Sequence, residues 1–335
     1  MRALVVALMA ALAAQGQSAT RSTMELLPRK VIVGTVMVHS SRLSKDLKTR
    51  LAELGQKVDE VAVQSRKQYG RNPDLVVLPE TIVSRVEALP YAGPVETTFA
   101  TLAQKYHSYV VVPMMLKEEW GKSNAAILVD RQGKVVGIYR KVHIAVTTGS
   151  DSLEDGTTPG KSVPVFECDF GKLGIQICFD IEYDYGWQEL QRQGADLVVW
   201  PSDSPQTGMP AARARRYGYY IVSSPPRNNS SVFEPTGKIT AQIRPPESIL
   251  VQEIDLSYAI LPWSEGLQNG AALKAKYGDK VGYRYYEDED HGIFWSNDPQ
   301  ISIGKMVRES GFAEAGPELE RIRKLYRAAG VPAYQ

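Results

Sequence analysis

Apolar and polar positions follow two different rhythms along this chain, which separate predicted helices from predicted strands. One apolar face repeats at steps of three and four residues, at Leu43, Leu47, Leu51, Leu54, Val58 and Val61. That spacing predicts a helix, with its cap near Ser41 or Ser44. Short apolar runs bounded by polar residues instead predict strands at Val31–Met37, Leu75–Leu78 and Tyr109–Met114.

Tight turns interrupt this alternation and predict antiparallel hairpins. Asp130-Arg131-Gln132-Gly133 and Thr236-Gly237 each separate two strand-like runs. Val163–Cys168 and Leu173–Cys178 form a third predicted hairpin, turning at Gly171-Lys172. A purely parallel doubly wound sheet would not contain so many tight turns. The pattern therefore predicts an α/β fold of mixed sheets covered by helices.

The later part of the chain changes character. Leu250–Ile254 is the last strand that the pattern predicts, and polar, aromatic and charged residues dominate from Trp263 onward. Glu287–Asp290 is predicted to be an exposed acidic run, and Pro317–Ala329 a terminal helix. We expect residues 31–262 to form one domain and residues 263–335 a tail that packs on it or on a second subunit.

The extreme N-terminus has the pattern of a secretory signal peptide. Met1-Arg2 precedes an apolar stretch, Ala3–Ala14, and small and polar residues follow to Thr20. The stretch is too short to span a bilayer, and no other segment is long and apolar enough. We expect residues 1–20 to be removed and the protein to be exported, to the periplasm or outside the cell, without membrane insertion.

Charge and cysteine content exclude some classes of protein. The 39 basic side chains nearly balance 38 acidic ones, which gives no electrostatic reason to expect a nucleic acid partner. Two cysteines are too few for a disulfide-stapled scaffold. In the predicted hairpin Cys168 faces Ile175 and Cys178 faces Val165, an offset of about 10 Å along the strands. A disulfide needs a much shorter separation, so Cys168 is interpreted as a core residue and Cys178 as a free thiol.

Three chemically reactive side chains each follow a predicted buried strand. Glu80 comes after Leu75–Leu78, Lys141 after the run that ends at Tyr139, and Cys178 after Ile177. Rigid strands often present reactive groups at their ends, where loops leave room for a ligand. A thiol needs a nearby base or cation to act as a nucleophile. None of the four histidines lies in a sequence typical of a papain-like or caspase-like enzyme, so a carboxylate and a lysine are the local candidates.

These segments, in this order, resemble the nitrilase superfamily of carbon–nitrogen hydrolases. The resemblance covers about residues 31–262 and implies that superfamily's four-layer α-β-β-α sandwich of two mixed sheets. It also implies dimerisation through a helix face. The matching stretches are Val76–Glu80, Ser123-Asn124-Ala125, Gly137–His143, Pro159-Gly160, Gly171–Asp180, Gly194–Ser202, Ala212-Arg213-Ala214 and Pro235–Lys238.

The resemblance implies a role for each reactive residue. Cys178 would attack the substrate, and Glu80 would move protons between the thiol, the leaving amine and water. Lys141 and the backbone N–H of Phe179 would stabilise the oxyanion of the tetrahedral intermediate. The additional glutamate of the family is best matched by Glu154.

Other residues near these motifs are candidates for the substrate pocket. Tyr183, Trp200 and Ser202 lie close in sequence to strand ends or to the cysteine, and His143 either orients the loop after Lys141 or packs. No metal-spaced ligand set, glycine-rich phosphate loop or dinucleotide fingerprint occurs, so neither metal nor cofactor is expected.

The expected substrate is a small amide, cleaved through an acyl-thioenzyme with release of ammonia or an amine. Phe179-Asp180 replaces the Trp-Glu that follows the cysteine of true nitrilases, which makes nitrile chemistry less expected. N-carbamoyl hydrolase and nitrilase activity remain alternatives. An acyltransferase or a non-catalytic exported binding domain would be alternatives of another class.

Overall fold

The computed structural model describes residues 25–146, 149, 151–154 and 156–332, except for the side chain of Pro317. The predicted signal segment, residues 1–20, lies outside these residues. Within them the chain forms two six-stranded sheets and a smaller three-stranded sheet.

The first sheet is mixed. Its strands are β1 Lys30–Val36, β2 Leu75–Val77, β3 Tyr109–Glu118, β4 Gly121–Val129, β5 Val135–Arg140 and β12 Ile249–Asp255. They lie in the order β12-β1-β2-β3-β4-β5. β1, β2 and β3 are parallel, and the remaining neighbours are antiparallel. The predicted hairpin around Gly133 is therefore confirmed as β4 and β5.

The second sheet has the same mixed character. Its strands are β6 Val165–Cys168, β7 Gly171–Ile175, β8 Leu197–Pro201, β9 Tyr220–Ser224, β10 Ser230–Phe233 and β11 Ile239–Ile243. They lie in the order β11-β10-β9-β8-β7-β6, with β7, β8 and β9 parallel. In both sheets the reactive residues follow the carboxyl ends of strands.

Helices cover the outer faces of the two sheets. They are α1 Leu47–Tyr69, α2 Pro94–Tyr106, α3 Tyr185–Arg192 and α4 Gly208–Tyr217. Alternate residues of β1 point to opposite sides, so that Ile32 packs with α1 and α2, whereas Val33 faces the second sheet. Leu190 of α3 packs against Gly174 of β7 on the other side of the molecule. The predicted four-layer α/β sandwich is confirmed. No helix within the described ranges is both long and apolar enough to cross a membrane.

Three more strands follow β12, so the prediction that the last strand ends near Ile254 is wrong. β13 Tyr258–Pro262, β14 Val281–Tyr286 and β15 His291–Ser296 form the third sheet. It shares a small core with α5 Ala271–Tyr277 and α6 Ile303–Glu309, and α7 Ala315–Ala328 is the predicted terminal helix.

The predicted acidic run connects β14 to β15 and does not stand apart from the main body. Glu289 forms ion pairs with Arg215 of α4, at 2.6 Å, and with Lys238, at 2.7 Å. Hydrogen bonds from these two cations lower the pKa of Glu289 to about 2. The run therefore ties the third sheet to the second through charge pairs.

Two local predictions were wrong for reasons that the structure makes clear. α1 begins at Leu47 because the Asp46 carboxylate, not Ser41 or Ser44, accepts the Thr49 N–H. The β6–β7 hairpin turns at Asp169-Phe170, so Cys168 pairs with Gly171 rather than with Ile175. Gly171 has a φ of 140°, and a Cβ there would lie 2.7 Å from an Asp196 oxygen, so this glycine serves a close approach and not a turn.

Candidate active site

Three distant chain segments meet where the two main sheets face each other. Glu80 follows β2 and Lys141 follows β5, both in the first sheet, whereas Cys178 follows β7 in the second. The Lys141 Nζ lies 3.0 Å from Glu80 Oε1. The Cys178 thiol lies close enough to the Glu80 carboxylate and to the Lys141 ammonium for both to shift its pKa. The sulfur, the carboxylate and the ammonium are therefore brought together.

Both oxygens of Glu80 are held in place. Oε1 accepts hydrogen bonds from Lys141 and from Asn124 Nδ2, the latter at 2.8 Å. Oε2 accepts the backbone N–H of Asp203 at 2.8 Å. The residue is only 7% exposed, so its carboxylate has little freedom to move. The motif Ser123-Asn124-Ala125 was noticed in the sequence, but the role of Asn124 in fixing Glu80 was not inferred.

Lys141 is a buried cation shared by two carboxylates. It is 1% exposed, and its Nζ lies 2.5 Å from Glu154 Oε1 in addition to its contact with Glu80. Burial favours the neutral amine, but the charges of Glu80, Cys178 and Glu154 outweigh this and raise the pKa of Lys141. Asn124 also reaches Glu154, at 3.2 Å. Glu154, suggested by the family pattern, therefore lies against the lysine.

The backbone at the site adopts a conformation that is rare for residues with side chains. Cys178 has a φ of 41°, Thr81, which follows Glu80, has a φ of 47°, and Glu154 has a φ of 28°. Such values cost free energy and are found where the surrounding structure imposes them, often at functional sites. Cys178 opens a short 3-10 helix, Cys178–Glu182, and its carbonyl accepts the Trp200 indole N–H at 3.0 Å. The cysteine is thus presented on a sharp, fixed turn.

The thiol of Cys178 is a weak acid in this setting. Burial and the Glu80 carboxylate together raise the pKa of Cys178 to about 12, although Lys141 acts in the opposite direction. The sulfur therefore carries its proton at neutral pH. Attack by this sulfur requires a base nearby, and the Glu80 carboxylate is the acidic group that acts on the pKa of the thiol.

A third carboxylate at the site, that of Asp180, was missed as a site residue. It is fully buried and accepts hydrogen bonds from Tyr139 and His143, which flank Lys141, and from Ile177, which precedes Cys178. The sequence did contain a signal, because a carboxylate two residues after the cysteine would have to be satisfied if buried.

The three predicted pocket residues differ in exposure. Tyr183 is 46% exposed and stacks on His143 with ring centroids 4.0 Å apart. Trp200 and Ser202 are fully buried. Trp200 donates to the Cys178 carbonyl, and the Ser202 hydroxyl accepts the Ser204 N–H at 2.9 Å, which shapes the loop that carries Asp203. Phe179, the proposed oxyanion donor, lies beside the Tyr183 ring.

Cavities elsewhere in the molecule do not involve these residues. A groove of about 470 Å³ lies between β11, β12 and α1, and a cavity of about 140 Å³ lies between β12 and the third sheet. The described residues contain no cluster of three or more histidine, cysteine or acidic side chains able to hold a metal ion. The arrangement at Cys178 is instead suited to nucleophilic attack with proton transfer.

Comparison with known proteins gives matches of sequence. Residues 41–261 match the profile of the carbon–nitrogen hydrolase family. An omega-amidase from Danio rerio is 28% identical over 260 residues, which cover 68% of this chain and 90% of that protein. A probable nitrilase from Schizosaccharomyces pombe is 30% identical over 166 residues, and the match covers 46% of this chain and 57% of that protein.

Solved structures give matches of fold. Nit3 of Saccharomyces cerevisiae, a nitrilase superfamily member, aligns with a TM-score of 0.58 at 22% identity, covering 68% of this chain and 91% of that chain. A CN-hydrolase superfamily protein from Xanthomonas campestris aligns with a TM-score of 0.57 at 18% identity, covering 74% and 95%.

Proposed function

Because the chain belongs to the carbon–nitrogen hydrolase family, we propose that it hydrolyses a small amide through a thioester on Cys178. The observation that carries this proposal is the position of Glu80, which is hydrogen-bonded to the Lys141 ammonium and lies close enough to the Cys178 thiol to raise its pKa. One group can then act as base toward the sulfur while a fixed cation stands beside it.

In the first half of the reaction Glu80 takes the thiol proton as the Cys178 sulfur bonds to the carbonyl carbon. The carbonyl oxygen becomes an oxyanion, stabilised by Lys141 and the Phe179 N–H. The carbon–nitrogen bond then breaks, Glu80 gives its proton to the departing nitrogen, and ammonia or an amine leaves. The acyl group stays on sulfur as a thioester.

In the second half of the reaction water hydrolyses the thioester. Glu80 removes a proton from water as its oxygen attacks the thioester carbon, and the resulting oxyanion occupies the same site beside Lys141. The carbon–sulfur bond breaks, the sulfur recovers the proton from Glu80, and a carboxylic acid is released. Glu154 assists by fixing Lys141, which it contacts at 2.5 Å.

Amide cleavage, rather than nitrile cleavage, is favoured by two observations. The omega-amidase from Danio rerio aligns over 90% of its own length, whereas the probable nitrilase from Schizosaccharomyces pombe aligns over 57%. In addition, Phe179-Asp180 follows the cysteine here, in place of the Trp-Glu of true nitrilases.

The test is an ammonia-release screen of the purified protein across amides, nitriles and N-carbamoyl compounds. Cys178→Ala is the blank, and we expect its turnover to fall at least about a thousandfold, as when a covalent nucleophile is removed. Mass spectrometry after rapid quenching should find the acyl half of the substrate on the peptide that contains Cys178. Near-normal turnover by a folded Cys178→Ala protein, or an acyl adduct on another residue, would refute the proposal.

A further inference from the structure

We propose that Asp180 is a positioning residue, which fixes the Cys178 sulfur relative to Lys141 by tying the two segments that carry them. The effect on turnover rests on the function proposed above, but the structural link can be tested without it. Asp180 is fully buried, and its side chain reaches segments that belong to two different sheets.

On the cysteine side, Asp180 holds the turn that presents the sulfur. Its Oδ2 accepts the Ile177 N–H at 2.9 Å, directly before Cys178. Its own backbone carbonyl accepts the Trp187 indole N–H at 3.0 Å. These two contacts hold the 3-10 helix at the residue before Cys178 and at Asp180 within it. They stabilise the unfavourable φ of 41° at Cys178.

On the lysine side, Asp180 contacts residues on both flanks of Lys141. Oδ2 accepts the Tyr139 hydroxyl at 2.7 Å, and Oδ1 accepts the His143 backbone N–H at 2.9 Å. The His143 ring Nδ1 lies 3.1 Å from the same Oδ1. Because Tyr139 and His143 each stand two residues from Lys141, the carboxylate brackets the lysine.

No strand ladder fixes this relationship, which is why the link matters. β5, which leads to Lys141, is at one edge of the first sheet, and β7, which leads to Cys178, pairs within the second. Hydrogen bonds within a sheet set distances inside that sheet only, so packing and the polar contacts between the sheets set the distance from Cys178 to Lys141. One such contact joins Glu80 to the Asp203 N–H, and those of Asp180 act directly on the segments that carry Cys178 and Lys141. A misplacement of about 1 Å can lower a reaction rate about a hundredfold.

Replacement of Asp180 by asparagine changes its hydrogen bonds without changing the packing around it, because the side chain keeps its size. A carboxylate accepts at both oxygens, whereas an amide has one oxygen and one NH₂ group. Whichever way the amide turns, its NH₂ faces a backbone N–H, of Ile177 or of His143, so one of the two segments loses its hydrogen bond.

For Asp180→Asn we expect kcat to fall about a hundredfold with KM changed less than about threefold, measured on folded protein well below its Tm. The matched control is Asp196→Asn. Asp196 also joins separate segments, accepting from Arg29 and from the Lys172 N–H, but it precedes β8, at the end away from Cys178. The control should lose stability yet keep kcat within about twofold. A kcat of Asp180→Asn within about twofold of the natural protein would overturn the proposal.

If Asp180→Asn does not fold, Tyr139→Phe supplies the test, since it removes one donor to Oδ2 and keeps the ring. We expect kcat to fall about three- to tenfold, and an unchanged kcat would overturn the proposal. If both variants fold, their combined loss should be smaller than the product of the single losses, because both act on one contact. Losses that multiply would contradict a shared role.

Alkylation by iodoacetamide tests the same link even if no amide substrate is found. Burial is the main reason that the pKa of Cys178 is raised, so loosening its turn should expose the sulfur and speed its modification. We expect Asp180→Asn to accelerate labelling of Cys178 at least about fivefold, with labelling of Cys168 unchanged. Equal Cys178 rates in the variant and the natural protein would overturn the positioning role, whereas an inactive natural protein with accelerated labelling would count only against the proposed amidase function.

Discussion

The two cysteines of this protein share their acidity but not their surroundings. Burial raises the pKa of both Cys168 and Cys178 to about 12, and both are free thiols of intermediate exposure. Cys168 lies within β6, where its sulfur contacts the Phe166 carbonyl at 3.9 Å and a neighbouring carboxylate, Asp169, raises its pKa further. Cys178 sits on a strained turn against Glu80 and Lys141.

This comparison shows that a lowered thiol pKa is not what distinguishes a candidate nucleophile here. What distinguishes Cys178 is a carboxylate near enough to raise the pKa of its thiol and a buried cation hydrogen-bonded to that carboxylate. A thiol of this kind need not exist as a thiolate before the substrate arrives, since it can lose its proton to Glu80 during attack. Fast alkylation of Cys178 by iodoacetamide at neutral pH is therefore not expected in the natural protein.

Glu80→Gln should separate the two cysteines most strongly. Turnover should fall about a hundredfold to ten-thousandfold, because the proton acceptor is gone. Alkylation of Cys178 should nevertheless become faster, since the Glu80 carboxylate raises the pKa of that thiol and its removal lowers it. Labelling of Cys168, followed by peptide mass spectrometry in the same sample, should not change.

The pH dependence of labelling tests the same comparison between Cys168 and Cys178. With a pKa of about 12, each thiol should label about tenfold faster for each pH unit between neutrality and the pKa, because the thiolate is the reactive form. In Glu80→Gln the profile of Cys178 alone should move to lower pH. A shift to higher pH would mean that Glu80 does not raise the pKa of Cys178.

Lys141→Met should have the next largest effect, and on stability as well as on rate. Removal of one oxyanion-stabilising group costs about a hundredfold to a thousandfold in kcat. Loss of the cation also leaves Glu80 and Glu154 without their buried partner, and breaking such a pair costs about 3–5 kcal/mol. Thermal or urea unfolding measures the second quantity, and labelling of Cys178 should slow because Lys141 lowers its pKa.

Lys57→Met is the control for that variant. Lys57 pairs with Glu60 on the surface of α1 at 2.7 Å, and such exposed pairs contribute about 0.5 kcal/mol or less. Turnover should stay at the natural level. Equal losses of stability in Lys57→Met and Lys141→Met would contradict the buried character assigned to the lysine cluster.

Cys168→Ala should have the smallest effect. Its side chain fills space between the sheets and touches none of the candidate catalytic groups, so kcat should stay within about twofold and stability should fall by about 1 kcal/mol. A loss of turnover comparable to that of Cys178→Ala, in protein that remains folded at the assay temperature, would erase the distinction between the two thiols.

The sequence allowed the layered fold to be predicted because its local patterns are consistent. Apolar runs such as Leu75–Leu78 and turn residues such as Asp130 and Gly133 locate strands and hairpins by short-range physics. The third sheet was missed because Val281–Tyr286 mixes glycine, arginine and tyrosine, and its partner strand lies beyond an acidic connection. The start of α1 was missed because Asp46 competes with nearby serines for the same capping role.

The candidate site could be predicted only as far as family motifs reach. Motifs indicate that Glu80, Lys141 and Cys178 occur in a familiar order, but they carry no distances. The contacts of Asn124 with Glu80 and of Asp180 with Tyr139 join residues roughly 40 positions apart, the second pair across two sheets. Periodicity within a strand contains no information about such pairs. The predicted register of the β6–β7 hairpin was wrong because glycine is favoured both in a turn and at a close approach, and Gly171 serves the close approach.

The hydrogen bond from the Trp200 indole to the Cys178 carbonyl has a practical consequence. The chain has five tryptophans, and this one is fully buried with its N–H attached to the backbone of the candidate nucleophile. A fluorine atom introduced on that ring would place a magnetic resonance probe next to the turn. Acylation, release and any loosening of the cysteine could then be followed in real time as changes in a single resonance.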